Sequence, residues 1–445
     1  MNGRMKQILL FIVIIISLGC KPKIDGITPS YGDLNPGKII CIGDYQMSGF
    51  ADDALYHKGQ MQSLGNILAK QLQLVGFVDF NQPLMPVNSV GVNKDGLSRF
   101  KLSYKTDCQN TTSLSPIRVA SSGDLNALNT SVFNPSENFE NWGIPGLKAT
   151  DVFDPNYGNP FYSRMQSNIG TAIIDELSNI GANGYTFFAI FIGLEDLLPH
   201  AKSGATLNNM TPTFGTAPAG DGFENSLSVI LSTLSNNGAK GVISTIPDIT
   251  KFPYFTAIPE NGLDLDSANL ETLNNIYNPI GFSFELGANN FMIEDPNANV
   301  FGVRPMQSGE RLLLSVPLDS VKCHKMGSVF PFRDEFILTL DEISEIQTRI
   351  DEYNIVIRSL AQEHDLAVVE TKDWYESVNN GVTYNGSPLN FSFVSGGTFS
   401  LDGINLTGRG NALLCNEFIK AINKKYNAQI PRANALEYDA VLFPQ

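Results

Sequence analysis

Runs of apolar residues, each followed by an amphipathic segment, restrict this chain to one fold class. The runs cover residues 39–42, 185–192, 241–246 and 366–370, and the first three end directly before glycine or proline. A run that is apolar throughout predicts a strand buried on both faces, which is typical of a parallel sheet. Strands that alternate with helices predict an α/β fold, here a three-layer doubly wound parallel sheet.

Five amphipathic segments supply the predicted helices. They cover residues 60–74, 162–180, 225–236, 341–364 and 409–424. The longest is the most regular, because Ile343, Ile346 and Ile350 recur there at helical spacing and mark a buried face.

Two long stretches, residues about 75–141 and about 250–327, show no such period and contain many Asn and Pro residues. Loops of this length are usually functional or insertional. We therefore expect one folded domain over residues 37–445, in which two irregular insertions cover the carboxyl edge of the sheet.

The N-terminal segment predicts export and lipid anchoring. Basic residues precede an apolar run at residues 8–16, which is too short to span a bilayer and is typical of a signal peptide. The predicted signal, residues 1–19, ends in Ser-Leu-Gly before Cys20, which resembles the cleavage site of bacterial lipoproteins. The resemblance implies that Cys20 is acylated and that residues 20–36 tether the protein to the outer membrane. The alternative is an ordinary secretory signal with an incidental cysteine.

The net charge and the cysteines of the chain limit its possible partners and covalent links. The net charge of −15 argues against a nucleic-acid partner, because phosphate binding needs clustered Lys and Arg. Cys108 and Cys323 lie in irregular segments of a predicted exported protein and could form a disulfide. Cys41 and Cys415 lie in apolar patterns that indicate buried thiols. No cysteine or histidine spacing predicts a metal site, and no motif predicts a cofactor.

The segment after the first predicted strand carries a family resemblance. Gly43, Asp44 and Gly49 resemble block I of the SGNH (GDSL) hydrolases, which places a nucleophilic serine after Gly-Asp. Gly143 and Gly146 in the sequence NWGIPG resemble block II, which supplies a backbone donor to the oxyanion. Residues 51–56, 242–255 and 418–431 also resemble lipoprotein members of this family from Bacteroidetes-type bacteria. The resemblance implies an SGNH-hydrolase-like, flavodoxin-like fold.

The residues that carry catalysis in this family are changed. Tyr45 stands where the family has its serine, Glu195 where it has an oxyanion Asn, and Asn405 where it has the base His, while Asp402 matches the triad acid. An amide has no basic lone pair, and a carboxylate accepts hydrogen bonds only. We therefore expect a pseudoenzyme whose cleft serves binding, as an accessory subunit of an outer-membrane barrel, transport or assembly complex, or as a receptor for a glycan or lipid.

Alternatives remain for the same residues. Ser48 could replace the missing nucleophile, or Tyr45 and Glu195 could act together as in glycosidases that use a tyrosine nucleophile. Asp44, Asp196 and Asp402 could form an acid–base pair or a hard-cation site, or serve only to cap helices and brace loops. Surface or loop positions are expected for all the histidines. They are His57, His200, His324 and His364.

Overall fold

The computed structural model of the chain describes residues 28–444, apart from residues 79, 136, 182, 183, 217, 218 and 299. The predicted signal peptide, Cys20 and the first part of the predicted tether lie outside the described residues. From Ser30 onward the tether contacts the folded body, since Ser30 pairs with Gln429 and the side chain of Leu34 is buried. Any free part of the tether would therefore end before Ser30.

Five parallel strands form the central sheet. They are β1 (Lys38–Gly43), β2 (Asn141–Gly143), β3 (Tyr185–Phe191), β4 (Lys240–Ser244) and β5 (Ala367–Val369). The strand order is β5-β4-β3-β1-β2, and every neighbouring pair is parallel. The prediction of an α/β fold with a parallel sheet is confirmed. The edge strand β2 was not predicted, because three residues are too few to show a period.

Helices flank this sheet. The five long ones around it are α1 (Leu64–Gln73), α2 (Ile173–Gly181), α3 (Phe223–Ser235), α4 (Leu340–Glu363) and α5 (Gly408–Tyr426). Helix α1 packs against α5, whereas α3 packs against both α2 and α4. Helices α4 and α5 also contact β4 and β5. None of the helices within the described ranges is both long and apolar enough to cross a membrane.

Local sequence explains where these helices begin. Helix α1 begins later than predicted, at Leu64, because the Ser63 side chain accepts the Asn66 N–H and caps it. Helix α4 begins with a capping box, in which Thr339 and Glu342 each accept a backbone N–H from the other.

The predicted helix at residues 162–180 is wrong as a single element. The structure has a short helix, Pro160–Ser163, and then α2 from Ile173. Gly170 lies between them with a φ of +87°, in the left-handed region that ends helices.

The remaining elements are mostly short, apart from the 11-residue helix Ser267–Tyr277 in the second insertion. The other α-helices are Tyr45–Ser48, His57–Met61, Leu125–Asn129, Pro160–Ser163, Leu198–Lys202, Pro253–Thr256, Ser267–Tyr277, Leu318–Cys323 and Thr371–Asn379. Single 3₁₀ turns cover Thr150–Phe153, Ile249–Lys251, Asn278–Ile280, Asp334–Phe336 and Ala435–Glu437. The antiparallel pairs are Phe100–Thr106 with Thr112–Arg118, Leu263–Leu265 with Gly287–Asn289, Met292–Glu294 with Val303–Pro305, Arg311–Leu312 with Ile337–Leu338, and Val382–Tyr384 with Ser387–Leu389.

The two insertions are more regular than predicted. The first contains the hairpin of residues 100–118, and the second contains two small apolar clusters of its own, separate from the main core. A disulfide between Cys108 at the hairpin tip and Cys323 joins them, with a Cα–Cα distance of 6.4 Å. The other two described cysteines, Cys41 and Cys415, are free and buried.

Candidate functional site

The family-like blocks meet at the carboxyl edge of the sheet. Asp44 and Tyr45 follow β1, Gly146 follows β2, and Glu195 follows β3. In open parallel sheets this edge is where ligands bind. The neighbouring order of β2, β1 and β3 brings the three segments side by side, so residues about 150 positions apart in sequence come into contact.

Tyr45 and Glu195 form the centre of this site. The Tyr45 hydroxyl donates a hydrogen bond to Glu195 Oε2 across 2.8 Å. Burial raises the pKa of Tyr45 well above its usual value, and the neighbouring charge of Glu195 raises it further. The phenol therefore stays protonated at neutral pH.

Glu195 accepts the hydrogen bond of Tyr45, and its carboxylate is partly shielded from water. Burial raises the pKa of Glu195, while the Tyr45 hydrogen bond and the charges of Lys202, Lys94 and Lys148 act in the opposite direction. A carboxylate here repels the oxyanion that an amide donor would stabilise.

Asp44 directly precedes Tyr45 in the chain and is fully buried. The pKa of Asp44 is raised well above its usual value. Burial is the largest cause, and the charge of Glu195 is the second. The backbone N–H groups of Glu195 and Tyr45 act on its carboxyl and lower its pKa, but they do not outweigh burial. Asp44 is thus held toward its neutral form and does not supply a free charge to the site.

The two block II glycines have different structural roles. At Gly143 a Cβ would lie 2.2 Å from the Ser48 backbone nitrogen, so only glycine lets β2 approach the turn after β1. Gly146 has a φ of +81°, and a Cβ there would lie 3.7 Å from Glu195 Oε1 and 4.0 Å from the Tyr45 hydroxyl. Gly146 therefore lies beside the Tyr45–Glu195 pair and leaves space there that a larger side chain would fill.

Asp402, the predicted triad acid, is engaged mainly within its own loop. Its Oδ1 accepts the backbone N–H groups of Ile404 at 2.8 Å and Asn405 at 2.7 Å. Its Oδ2 accepts the Asn405 side-chain amide at 3.0 Å and the Asp53 N–H at 3.0 Å. Four hydrogen bonds to its carboxylate thus brace this turn. Asn405 itself is 4% exposed, and its Oδ1 has no partner among the described residues.

Asp52 and Asp53 are structural members of the site that the sequence did not reveal. Both adopt left-handed backbone conformations, with φ of 54° and 58°, which costs roughly 1–3 kcal/mol each. The Asp52 carboxylate accepts the Leu401 N–H at 3.0 Å. The Asp53 carboxylate accepts from Arg118 at 2.5 Å, at the base of the hairpin. The two aspartates therefore connect the first insertion to the loop that holds Asp402. Residues 51–56 carried a family resemblance, but nothing in the sequence indicated these contacts.

The second insertion reaches the same loop. The Tyr254 N–H donates to the Gly403 carbonyl at 2.9 Å, and Gly403 has a φ of +71°. The second insertion therefore contacts the loop of residues 400–405 directly, whereas the first is linked to it through Asp53.

Ser48 and the histidines do not complete a catalytic unit. The Ser48 hydroxyl donates to the Tyr45 carbonyl at 2.9 Å, and the residue is 4% exposed, so its hydroxyl serves the turn. The expectation of a surface or loop position is wrong for His200, which is buried in the helix Leu198–Lys202 and contacts the Leu207 carbonyl. His364 and His324 each follow the end of a helix, and His57 begins one.

The hard-cation alternative has no support. Asp196 is fully buried and accepts the Ala149 N–H at 3.0 Å, which braces the loop after β2. Across the described ranges, no three His, Cys, Asp or Glu side chains are placed to hold a metal ion. Asp44, Asp196 and Asp402 therefore do not form such a site.

Comparison of the chain with protein-family models, with curated proteins and with solved structures finds no match.

Proposed function

We propose that this protein is a catalytically inactive relative of the SGNH hydrolases, exported as an outer-membrane lipoprotein and acting as a binding or accessory subunit. The strand order β5-β4-β3-β1-β2 is compatible with this view, because it matches the flavodoxin-like order 2-1-3-4-5 of doubly wound sheets. The proposal extends to a three-layer arrangement with the cleft at the carboxyl edge.

The observation that carries the proposal is the hydrogen bond from the Tyr45 hydroxyl to Glu195. A phenol with a raised pKa occupies the position of the nucleophile, and a carboxylate occupies that of an oxyanion donor. Loss of one oxyanion donor costs about 10²–10³ in rate, and loss of a nucleophile–base unit costs more.

The last-loop block supports the same conclusion. In a triad the carboxylate must accept the N–H of an imidazole and hold its tautomer. Here Asp402 instead accepts an amide from Asn405, which cannot take a proton from any nucleophile.

The binding role rests on the architecture around the cleft. Two insertions joined by a disulfide lie at the loop of residues 400–405, one in direct contact with it and the other linked to it through Asp53. Acylated Cys20 would hold the body close to its membrane. Such a body suits an accessory subunit docked on an outer-membrane barrel, transport or assembly complex, with a glycan or lipid as the alternative ligand. These assignments are part of the proposal.

The same hydrogen bond favours a second candidate, a glycosidase-like enzyme. A tyrosine within 2.8 Å of a glutamate has the geometry of a nucleophile beside a base. The raised pKa of Tyr45 argues against it, because the burial that raises this pKa also disfavours the phenolate such a reaction requires.

The test is hydrolysis of short-chain p-nitrophenyl esters and glycosides by the mature protein and by a Tyr45→Ser, Glu195→Asn, Asn405→His triple variant. We expect the wild type to be inactive and the triple variant to hydrolyse esters. The matched control adds Asp402→Asn to the triple variant. This change keeps one acceptor oxygen in the loop and should lose most of the gained activity, because an amide does not stabilise the imidazolium as a carboxylate does.

Wild-type turnover that disappears in Tyr45→Phe would overturn the proposal. Turnover of glycosides would then favour the second candidate, and turnover of esters an unorthodox esterase.

A further inference from the structure

A cavity lies apart from the Tyr45–Glu195 pair, between the edge strand β2 and helix α2. Its volume is about 180 Å³. For scale, an apolar cavity of roughly 150 Å³ accommodates benzene. Tyr45, Glu195 and Asp402 do not line it, so its ligand need not be that of the cleft.

Half of the residues that line the cavity are apolar or aromatic, and the other half are Glu137, Glu176, Asn138, Asn179 and Ser167. Trp142 from β2, Phe139, Met165 and Ile180 contribute to it, and Phe133 stands at the solvent side with 36% of its surface exposed. The Trp142 indole N–H already donates to the Phe139 carbonyl at 3.0 Å. The indole therefore offers the cavity an apolar ring rather than a hydrogen-bond donor.

The charged groups of the cavity all have one sign. Glu137 and Glu176 line it, whereas none of the described lining residues is Lys, Arg or His. Glu176 is 6% exposed and forms no salt bridge within the described part of the chain. Its Oε1 accepts the Ser167 N–H at 2.8 Å. Glu176 also lies in the first turn of α2, where the helix dipole stabilises a carboxylate. No Lys or Arg side chain among the described residues pairs with it, so its charge remains available to a cationic ligand.

We propose that this cavity binds a small organic ammonium ion, held by Glu176 and by the aromatic side chains around it. Aromatic faces attract a cation that has lost its water, and a quaternary ammonium group is the ligand that such surroundings suit best. Asn138, Asn179 and Ser167 also line the cavity and carry both donors and acceptors, so a neutral sugar is the competing ligand that the test must separate from a cation. The inference goes beyond the proposed function, and it holds whether or not the Tyr45–Glu195 site is active.

The test compares choline with 3,3-dimethylbutan-1-ol, its neutral counterpart of the same shape, by calorimetry on the mature protein. We expect choline to bind at least about tenfold more tightly, because only choline carries the charge. Glu176→Gln keeps an acceptor for the Ser167 N–H and should lower choline affinity about tenfold without changing affinity for the alcohol.

Asp175→Asn is the matched control. Asp175 is exposed and adjacent on the same helix, so this variant removes an equal charge outside the cavity and should leave choline affinity within about twofold of wild type. Phe133→Ala tests the aromatic wall at a half-exposed position and should weaken choline binding severalfold, which covers the case in which Glu176→Gln fails to fold.

Three outcomes would overturn the proposal. They are equal affinity for choline and the alcohol, choline affinity that neither Glu176→Gln nor Phe133→Ala changes, and saturable binding of glucose in place of choline. The first outcome would leave an apolar cavity only, and the last a sugar site.

Discussion

The side-chain amide of Asn405 donates a hydrogen bond to Asp402 Oδ2 across 3.0 Å. Together with three backbone N–H groups on the same carboxylate, this contact makes Asp402 the brace of its loop. These contacts give Asp402 a structural role, which can be measured as its contribution to the free energy of unfolding.

Asp402→Ala should lower the free energy of unfolding by about 2–4 kcal/mol, because it leaves the N–H groups of Ile404, Asn405 and Asp53 without their acceptor. Denaturant unfolding at pH 7.5 measures this. Asp95→Ala is the control, because Asp95 is exposed and it should change stability by less than about 0.5 kcal/mol. Equal effects of the two variants would contradict the bracing role.

Tyr45→Phe should destabilise the protein by about 1–2 kcal/mol at pH 7.5, since it removes the donor to the Glu195 carboxylate. The Tyr45 hydrogen bond lowers the pKa of Glu195, so the variant should raise that pKa further. The loss should therefore shrink at pH 5, where more Glu195 is protonated. Tyr104→Phe, at a side chain that is 66% exposed, should change nothing, and a pH-independent loss in Tyr45→Phe would count against this account.

The free energy of unfolding of the wild type should rise as the pH falls from 7 to 5, because burial raises the pKa of Asp196 from 3.8 to about 6. The folded state then binds a proton more tightly than the unfolded state does. Asp196 therefore contributes stability that is present below about pH 4 and is lost as pH rises toward 6, by at most about 3 kcal/mol. Asp196→Asn should flatten the unfolding free energy between pH 4 and pH 7. A wild-type protein less stable at pH 5 than at pH 7 would contradict a dominant role for the buried acids.

Replacing both cysteines of the disulfide with serine should lower stability by about 3–5 kcal/mol, since the bond closes a loop with a sequence separation of 215. A reductant should lower the unfolding midpoint of the wild type and leave that of the Cys108→Ser, Cys323→Ser variant unchanged. Equal midpoints for the two proteins without reductant would show that the bond contributes no stability.

Cys20→Ser should move the protein from the membrane fraction to the soluble fraction, because acyl chains on one residue supply the predicted anchor. Detergent phase separation measures this partition. The Cys108→Ser, Cys323→Ser variant controls for general effects of cysteine loss and should stay with the membrane. A Cys20→Ser protein that remains in the membrane fraction would contradict lipid anchoring.

The sequence predicted those strands whose burial is visible as an unbroken apolar run. Strands such as Tyr185–Phe191 are apolar along their whole length, so they are visible without any partner in view. The edge strand Asn141–Gly143 was missed, because its identity comes from backbone pairing with β1 rather than from composition. The break before Ile173 was missed for a related reason, since one glycine at a positive φ interrupts a pattern that otherwise remains amphipathic.

The site was only partly predictable. The positions of Tyr45, Glu195, Asp402 and Asn405 followed from a motif, but the contacts that decide their chemistry depend on tertiary structure. That Glu195 accepts from Tyr45 required knowing that β1 and β3 are neighbours. The cavity beside Trp142 had no sequence signal, because its wall is assembled from β2, α2 and the loops between them.

The bond between Cys108 and Cys323 encloses β2, β3 and β4, whereas β1 and β5 lie outside the loop that it closes. A single proteolytic cut anywhere between these cysteines would therefore leave both fragments covalently joined. The cut would be invisible on a non-reducing gel and would appear as two bands after reduction. Between these two cysteines, an intact backbone and an intact molecule are therefore separate properties.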